Sequence, residues 1–414
     1  MKNCIIVLFT LVYSVIFSQE IEEKEIPDYI KSVELRSLQT NSFLPIVKLG
    51  ESFIFKFDDL EGDQKEYHYK ITHCTYDWKD SGLSPTDFSS GFASGRILNF
   101  EDSFNTFLDY THYEVLFPNT QVRIIISGNY LLSVLDEYDD LVFTRRFIVY
   151  QPKVSVGVSL HKARKIEDLN TKQNVEFTIN HPNILFDNPS QEVKTVLFQN
   201  MDWNRAIYNI KPQFIRNGQL LYKYGDKTSF YGGNEFLFFD TKDFRISNNN
   251  IRRTVLQDGI YQTRLYVDQA RANKPYTYYP DIDGNFVIRS ITTDKANTEA
   301  EYTKVHFFLD YADLDEKPIY VYGAFNNWQL TDENLMQYNQ TTKLYETSFL
   351  FKQGFYNYEY VTLNKNNEVD IVAINGSFFQ TENKYQVLVY YHKFGSRYDE
   401  VIGFGEGNSV NLQN

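Results

Sequence analysis

Short runs of apolar, β-branched and aromatic residues, separated by turn-forming residues, recur along almost the whole chain. Early examples are 52–57 (SFIFKF), 121–127 (QVRIIIS) and 141–150 (LVFTRRFIVY), and the breaks between such runs hold pairs such as Pro118-Asn119. Runs of this length and composition are typical of β-strands, and their frequent turns are typical of β-sandwiches. No amphipathic helix of ordinary length stands out. The pattern therefore predicts an all-β protein.

Turn-rich and polar stretches divide the chain into three consecutive β-sandwich domains of immunoglobulin-like or early-set-like type. We place the first at residues 28–150, closed by Gln151-Pro152, and the second at 151–292. The polar stretch that follows reads as a linker to a third sandwich at 302–393. The Gly-rich and polar remainder, 394–414, predicts a mobile tail.

The first residues have the pattern of a signal peptide. Lys2 is followed by an apolar run from residue 4 to 17, shorter than the roughly 20 apolar residues of a spanning helix. We expect residues 1–18 to be cleaved off, and an uncleaved N-terminal anchor is the alternative. Cys4 lies before the apolar core, which argues against a lipoprotein. Cys74 is then the only cysteine of the mature chain, so it cannot form an intramolecular disulfide.

The net charge and the lengths of the apolar runs narrow the choice of partners. The formal net charge is −13, whereas binding to nucleic acid phosphates or anionic lipid heads requires clustered Lys and Arg. After the leader, no segment is apolar for long enough to form a membrane-spanning helix. Many strand-like runs also fall short of the roughly 9–11 residues of a spanning strand. We therefore expect neither nucleic acid binding nor direct membrane insertion.

Motifs for common catalytic and cofactor chemistry are missing from the sequence. It contains no GxSxG elbow, HExxH pair, Walker loop or dinucleotide-binding GxGxxG after a strand. No pair of carboxylates is singled out for acid–base work, although a hydrolase stays open as a rival function. We expect no enzyme activity and no cofactor.

His68, His73 and Cys74 lie in one strand-like run and suggest a metal site at first sight. On a regular strand, residues an odd number apart face opposite sides, which separates His68 from His73. His68 and Cys74 share a face but lie roughly 20 Å apart, too far to meet at one zinc ion. We expect packing and hydrogen bonding, not metal binding.

Asp281, Asp283 and Asn285 place oxygen atoms at alternate positions, as calcium loops do. The EF-hand loop, however, needs its glycine at the sixth position, and Gly284 falls two positions too early. A turn around Asp283-Gly284 explains the pattern better. We expect no metal here either.

Residues 320–328 (YVYGAFNNW) hold a strand, a Gly turn and an Asn pair that presents Trp328. With 343–349 and 354–360, this segment resembles the early-set β-sandwich modules that bind glycogen and related glucans. In such modules a tryptophan at this place can stack on a sugar ring, and Asn383 would supply one matching polar group. The alternative, which we favour, is that Trp328 anchors the sandwich.

An ordered set of short strings, taken together, resembles the plug proteins of the type IX secretion system of Bacteroidota. The strings are His73-Cys74 with Trp78, Ser127-Gly128-Asn129-Tyr130, Arg145-Arg146-Phe147, Gln199-Asn200, Gly232-Gly233-Asn234-Glu235-Phe236, Phe239-Asp240, Asp281 to Asn285, and Arg397-Tyr398-Asp399. No single string is specific for this family, but the occurrence of all of them in this order along most of the chain is specific. Leu237 departs from the family pattern, which has an arginine after the Asn-Glu-Phe string.

The resemblance implies a soluble periplasmic protein that closes the periplasmic mouth of a large outer-membrane β-barrel translocon by steric occlusion and reversible docking. It implies no catalysis, no cofactor and a chain that is monomeric by itself. A glycan-binding envelope protein that uses Trp328 is the main rival. A cargo protein of the same secretion system is another, although no sorting domain is evident after residue 393.

The residues that the resemblance singles out have two alternative roles. They either contact a partner or belong to buried networks that fix domain junctions, and we favour the second role. These residues are His73, Cys74, Trp78, Asn129, Tyr130, Arg145, Arg146, Asn234 and Glu235.

Overall fold

In the computed structural model the described residues are 23–39, 44–246, 250–312, 317–410 and 412. Within these ranges strands dominate and the α-helices are single turns, so the predicted all-β fold is confirmed. No helix in the same ranges combines the length and the apolar character needed to cross a membrane. The predicted leader, residues 1–18, lies outside them.

The strands are, in chain order, β1 (Ile30–Ser37), β2 (Ile46–Lys48), β3 (Phe53–Asp59), β4 (His68–Cys74), β5 (Ser89–Gly91), β6 (Ser94–Arg96), β7 (Asn99–Asp102), β8 (Thr111–Phe117), β9 (Val122–Ile124), β10 (Gly128–Leu135), β11 (Leu141–Tyr150), β12 (Ser155–Lys162), β13 (Lys172–Asn180), β14 (Val193–Gln199), β15 (Ile207–Tyr208), β16 (Phe214–Arg216), β17 (Gln219–Tyr222), β18 (Ser229–Tyr231), β19 (Leu237–Asp240), β20 (Ile251–Gln257), β21 (Ile260–Leu265), β22 (Asp268–Gln269), β23 (Phe286–Ile288), β24 (Tyr302–Asp310), β25 (Tyr320–Tyr322), β26 (Gln337–Asn339), β27 (Leu344–Lys352), β28 (Gly354–Leu363), β29 (Val369–Asp370), β30 (Lys384–Tyr391) and β31 (Glu400–Asn408). The short α-helices are α1 (Pro85–Phe88), α2 (Pro189–Glu192), α3 (Ala296–Glu299) and α4 (Val372–Asn375), and 3-10 turns lie at Ile166–Asp168, Trp203–Arg205 and Ala324–Asn326. The strands assemble into three β-sandwiches, which we call modules 1, 2 and 3.

Module 1 comprises β1 to β11. One sheet has the order β1-β3-β8-β7, the facing sheet has the order β2-β11-β10-β4-β6, and β5 pairs with β9. Aromatic side chains fill the space between the sheets. Phe55 and Phe57 of β3 are fully buried, and the ring of Phe57 stacks on Tyr113 with centroids 5.0 Å apart. Packed rings add to the stabilisation from buried area alone, so much of the aromatic content serves the core.

Module 2 is discontinuous in sequence, because it begins with β12 to β18 and ends with β30 and β31. β14 pairs antiparallel with β30, from Val193 opposite Tyr391 to Gln199 opposite Tyr385, and β30 pairs with β31. The resulting sheet, β15-β14-β30-β31, packs through an apolar core on the sheet β12-β13-β17-β16. Module 3, which comprises β19 to β29, is therefore inserted into module 2.

Module 3 packs a sheet of order β20-β21-β24-β27-β26 against a second sheet in which β28 is central. β28 pairs with β19, β23, β25 and β29 at different points along its length. Phe239, Phe307 and Tyr358 are buried between the two sheets. β20 forms one edge of the larger sheet.

The predicted domain boundaries in the second half of the chain are wrong. The expected break between 151–292 and 302–393 falls inside module 3, where β21 pairs in parallel with β24. The predicted linker contains α3 and the fully buried Ala300. The order of strands along a chain does not show which distant strands pair, and this is why the sequence alone suggests three consecutive domains.

The predicted mobile tail, 394–414, is wrong where β31 forms. A Cβ at Gly403 would lie 2.6 Å from Val154 Cγ2, and a Cβ at Gly405 would lie 2.7 Å from the carbonyl oxygen of Val156. Alternate glycines therefore let β12 of the opposite sheet lie directly against β31. The glycines that suggested flexibility serve close packing.

Candidate functional site

The residues that carry the family resemblance converge on the junctions between modules. Cys74 and Trp78 of module 1 are buried in an apolar cluster with Val196 and Phe198 of module 2. Burial, together with the nearby Asp80 carboxylate, raises the pKa of the Cys74 thiol to about 12. A thiol that stays protonated is a poor nucleophile and a poor metal ligand. Cys74 therefore serves packing at the junction of modules 1 and 2.

His73 lies opposite Tyr130 in the pairing of β4 with β10 and is enclosed by aromatic rings. The ring centroids of Tyr130, Phe88 and Tyr398 lie 5.1, 6.0 and 5.5 Å from that of His73. Burial lowers the pKa of His73 to about 4, so the imidazole is neutral at pH 7. A Cβ at Gly128 would lie 2.2 Å from His73 Nε2. The glycine of one family string is thus required by the histidine of another.

Asn129 joins modules 1 and 2 through both ends of its amide. Its Nδ2 donates to the carbonyl oxygen of Thr75 at 3.0 Å, and its Oδ1 accepts from the hydroxyl of Tyr390 in module 2 at 2.8 Å. Nearby, the backbone N–H of Val401 donates to Ser127 Oγ at 3.1 Å. Asn129 and Tyr390 are both buried, so loss of either partner would leave a polar group unsatisfied.

Arg146 and two tryptophans pack together at the same junction. The guanidinium of Arg146 lies 4.7 Å from the ring centroid of Trp78. Trp78 meets Trp203 of module 2 edge-on, with centroids 5.2 Å apart. A stacked cation and paired rings both favour a fixed geometry, so this contact aligns module 2 on module 1.

All three modules meet at a cleft that opens to solvent. Arg145 of module 1, Trp203 of module 2 and Asn327 of module 3 line it. The Glu23 carboxylate accepts from the backbone N–H of Arg146 at 2.6 Å and from Asn327 Nδ2 at 2.8 Å. Burial lowers the pKa of the Arg145 guanidinium, and Glu23 acts in the opposite direction. The N-terminal segment thus ties module 1 to module 3.

Asn234 and Glu235 lie in the first of the two segments that connect modules 2 and 3. Asn234 Nδ2 donates to the carbonyl oxygen of Asn375 at 2.9 Å. The Glu235 carboxylate accepts from the Tyr276 hydroxyl and, at 3.1 Å, from the backbone N–H of Glu382 in the second connecting segment. Glu235 is fully buried, and burial raises its pKa. Its side chain holds the two connections together.

A buried charged network extends the contact between modules 2 and 3. Arg205 Nε donates to Asp202 Oδ2 at 2.6 Å, and the Tyr322 hydroxyl of module 3 donates to Asp202 Oδ1 at 2.8 Å. Glu359 lies on β28 within reach of the same charges. Burial raises the pKa of Glu359 to about 7, although Arg205 and Arg271 act in the opposite direction. The network is therefore sensitive to protonation near neutral pH.

Modules 1 and 3 are joined by a buried ion pair. Asp58 on β3 and Lys352 on β27 are almost fully buried, and Lys352 Nζ lies 2.7 Å from Asp58 Oδ2. The same carboxylate lies 2.6 Å from His112 Nδ1 and accepts from the Tyr302 hydroxyl at 2.6 Å. Burial alone would raise the pKa of Asp58, but Lys352 and His112 hold it below its ordinary value. A charged carboxylate therefore links the two modules at neutral pH.

No motif in the sequence singles out this pair, although a local signal exists. Asp58 follows the apolar run of β3, and Lys352 ends the apolar run of β27. A charge at the end of a strand is most often exposed to solvent. The pairing becomes evident only when the fold brings the two strand ends together.

The alternative role of Trp328, stacking on a sugar ring, does not fit the surroundings of its side chain. Trp328 is 4% exposed and packs on Tyr322, and a Cβ at Gly284 would lie 2.3 Å from its ring. Asn383 is also buried, and its side chain donates to the carbonyl oxygen of Gly232 at 2.8 Å. Neither side chain presents a surface to a glycan, so the anchoring interpretation applies.

The predicted turn at Asp283-Gly284 forms, and both residues have positive φ angles. Asp281 Oδ2 accepts from the backbone N–H of Phe236 at 2.7 Å, and Asp283 pairs with Lys384 at 2.8 Å. Burial raises the pKa of Asp281 to about 7. These carboxylates bind the connection between modules 2 and 3, which explains their alternate spacing without a metal ion.

Comparisons with known proteins agree with this organisation. Residues 30–151 match a family model described as the type 9 secretion system plug protein 1st domain. A crystal structure of a hypothetical protein from Parabacteroides merdae ATCC 43184 is similar over 94% of this chain and 100% of that chain, with 30% sequence identity and a TM-score of 0.90. No curated protein matches the sequence. The whole arrangement of modules thus recurs in a solved relative.

Proposed function

The chain belongs to the type 9 secretion system plug protein family, and on this premise we propose that it closes the periplasmic mouth of the outer-membrane translocon of that system. It acts from the periplasm, by steric occlusion of the β-barrel pore and by reversible docking. The role needs a folded body of fixed shape, and it needs neither a reactive group nor a cofactor.

The observation that carries the proposal is that each module is locked to both of the others. An apolar cluster joins modules 1 and 2, the buried pair Asp58–Lys352 joins modules 1 and 3, and two chain connections join modules 2 and 3. Domains joined by small polar interfaces are expected to move relative to one another. Three mutual junctions oppose such motion, which suits a stopper.

The position of the family residues supports the same role. They stabilise the junctions and are mostly buried, so they preserve the shape of the body and leave docking to other surfaces. Occlusion of a pore requires a body of fixed shape, and the residues that carry the family resemblance fix the shape of this chain.

Permeability of the isolated translocon tests the proposal. Translocon from cells that lack this chain is reconstituted into vesicles that contain a large soluble dye. We expect leakage that stops when the purified chain is added, and no effect of an unrelated soluble β-sandwich protein of similar mass. An empty translocon that holds back the dye by itself would contradict the proposal.

A further inference from the structure

The hairpin of β20 and β21 is an unusual edge of module 3. β20 is the outermost strand of its sheet, and only Ile251 is buried along its length. Val255 and Leu256 are 40% and 45% exposed. A long edge strand with exposed apolar side chains is a template for pairing with another chain, and natural proteins usually shield such edges.

The backbone of β20 offers unused hydrogen-bonding groups on its outer side. The two-residue turn at Asp258-Gly259 makes Gln257 and Ile260 the hydrogen-bonded closing pair of the hairpin. Because such pairs alternate in an antiparallel ladder, the N–H and C=O groups of Thr254 and Leu256 point away from β21. Within the described ranges no backbone hydrogen bond reaches them. The edge is therefore free to accept a further strand.

The charge of this hairpin is opposite to that of the whole chain. Residues 251–265 contain three arginines and a single acid, Asp258 at the turn, in a chain of net charge −13. Arg253 on β20 lies directly opposite Arg264 on β21. Like charges in directly opposite positions destabilise a sheet. Neither arginine forms an ion pair in the part of the chain that the structure describes.

The positive charge continues on the neighbouring strand. In the parallel pairing of β21 with β24, Arg264 lies beside His306 and Gln262 lies beside Lys304. Burial, and after it Arg264 and Lys304, lower the pKa of His306 to about 4. The acid that faces the same surface from β27, Glu346, accepts hydrogen bonds from residues of its own turn. The outer face of this sheet therefore carries a positive stripe next to the free edge.

We propose that β20 is a docking edge for an acidic, extended segment of the translocon, which adds to the sheet as a further strand. Its backbone pairs with Thr254 and Leu256, and its carboxylates face Arg253 and Arg264. Strand addition of this kind uses main-chain hydrogen bonds for affinity and side chains for specificity. A lipid headgroup would satisfy the arginines but not the row of backbone groups, so the geometry favours a protein partner. The inference rests on the proposed function.

Two substitutions separate the backbone and the charge contributions. Leu256→Pro removes an N–H that points away from β21 and leaves the hairpin ladder intact. The double variant Arg253→Glu and Arg264→Glu reverses the stripe and keeps the same cross-strand repulsion. Arg216→Glu is the matched control, because Arg216 is an exposed arginine on another edge strand, β16.

Binding of each purified chain to immobilised translocon from cells that lack this chain is measured at low and at physiological salt. We expect each β20 variant to bind at least about tenfold more weakly than the unmodified chain, and the charge variant to lose the salt dependence. We expect Arg216→Glu to bind as the unmodified chain does, and circular dichroism of each variant checks that it is folded.

The outcomes distinguish the two proposals. If the unmodified chain does not bind the translocon, the proposed function and the docking edge both fail. If it binds and the β20 variants bind equally well, only the docking edge fails. Binding to vesicles of phosphatidylcholine and phosphatidylglycerol that is lost in the charge variant but kept in Leu256→Pro would also overturn the inference, because the partner would then be lipid.

Discussion

Replacement of Lys352 by methionine tests the junction between modules 1 and 3 most directly. Methionine keeps most of the length of the aliphatic stem and removes the ammonium group. The variant loses the 2.7 Å contact with Asp58, the hydrogen bond to the carbonyl oxygen of Asn297 at 2.5 Å and the position above the Tyr110 ring. Asp58 then stays buried with only His112 and Tyr302 beside it.

The expected cost follows from the burial of both charges. Removal of one partner from a buried ion pair costs about 3–5 kcal/mol, because the other charge stays desolvated. Asp58 keeps two partners in Lys352→Met, so we expect a loss near the lower limit, about 3 kcal/mol of the free energy of unfolding. The double variant Asp58→Asn with Lys352→Met removes both charges and is expected to lose less than Lys352→Met alone.

Urea unfolding followed by tryptophan emission measures this effect. Of the three tryptophans, Trp78 and Trp203 lie in the apolar cluster between modules 1 and 2, and Trp328 lines the cleft where the three modules meet. Their emission therefore reports the separation of modules. Arg397→Ala is the matched control, because Arg397 pairs with Asp87 across modules 2 and 1 at an exposed site. Exposed pairs contribute about 0–1 kcal/mol. A Lys352→Met variant no less stable than Arg397→Ala would refute the reasoning.

The pH dependence of the same variant has a defined sign. The pKa of Asp58 in the folded chain lies below its ordinary value, so its contribution is present above the unfolded pKa of about 4 and is lost as the pH falls through the folded value. The stability difference between the unmodified chain and Lys352→Met should therefore narrow in acid. A difference that widens as the pH falls would contradict the assignment.

Three further predictions concern the other junctions. Gly128→Ala forces a Cβ against His73 and should lower the free energy of unfolding by about 1–3 kcal/mol in urea titrations. Gly157→Ala is the control, because a Cβ at Gly157 meets nothing within 4 Å and should have no such effect. Equal effects of the two substitutions would contradict the steric argument. Glu359→Gln should stabilise the chain more at pH 8 than at pH 5. The pKa of Glu359 is raised to about 7 in the folded chain, so ionisation of this carboxyl lowers the free energy of unfolding as the pH rises above the unfolded pKa of about 4. An equal gain at both pH values would be inconsistent with this. Trp328→Ala should lower the free energy of unfolding by about 3–5 kcal/mol in the same titrations. In calorimetric titrations, α-glucans should give no heat of binding with the unmodified chain. Heat of binding that Trp328→Ala abolishes without loss of stability would restore the sugar-stacking interpretation.

The sequence predicts the class of fold well and its connectivity poorly. Runs such as that of β11 are recognisable because β-branched and aromatic residues mark a strand wherever it pairs. The partner of β14 is β30, far along the chain, and no local pattern indicates it. Gly403 and Gly405 mislead for the same reason, since their role is defined by a strand of the opposite sheet.

In the candidate site too, some residues can be identified from the sequence and others only from the fold. His73, Asn129 and Glu235 are identifiable from the family strings, and the fold buries all three side chains. Asp58 and Lys352 are not identifiable, because each becomes significant only when paired with a residue from another module. Local chemistry can be read from a sequence, whereas the partner of a buried charge is a property of the assembled fold.

The insertion of module 3 into module 2 has a consequence for the order in which the parts of the chain can fold as it is synthesised from its N-terminus. Module 1 can fold as soon as it is released, but module 2 lacks half of one sheet until β30 and β31 arrive. A chain that stops anywhere between β18 and β30 would expose β14 as an open edge. Module 2 is therefore completed only when the last strands of the chain are available, so a truncated chain would keep module 1 but lack one sheet partner of β14.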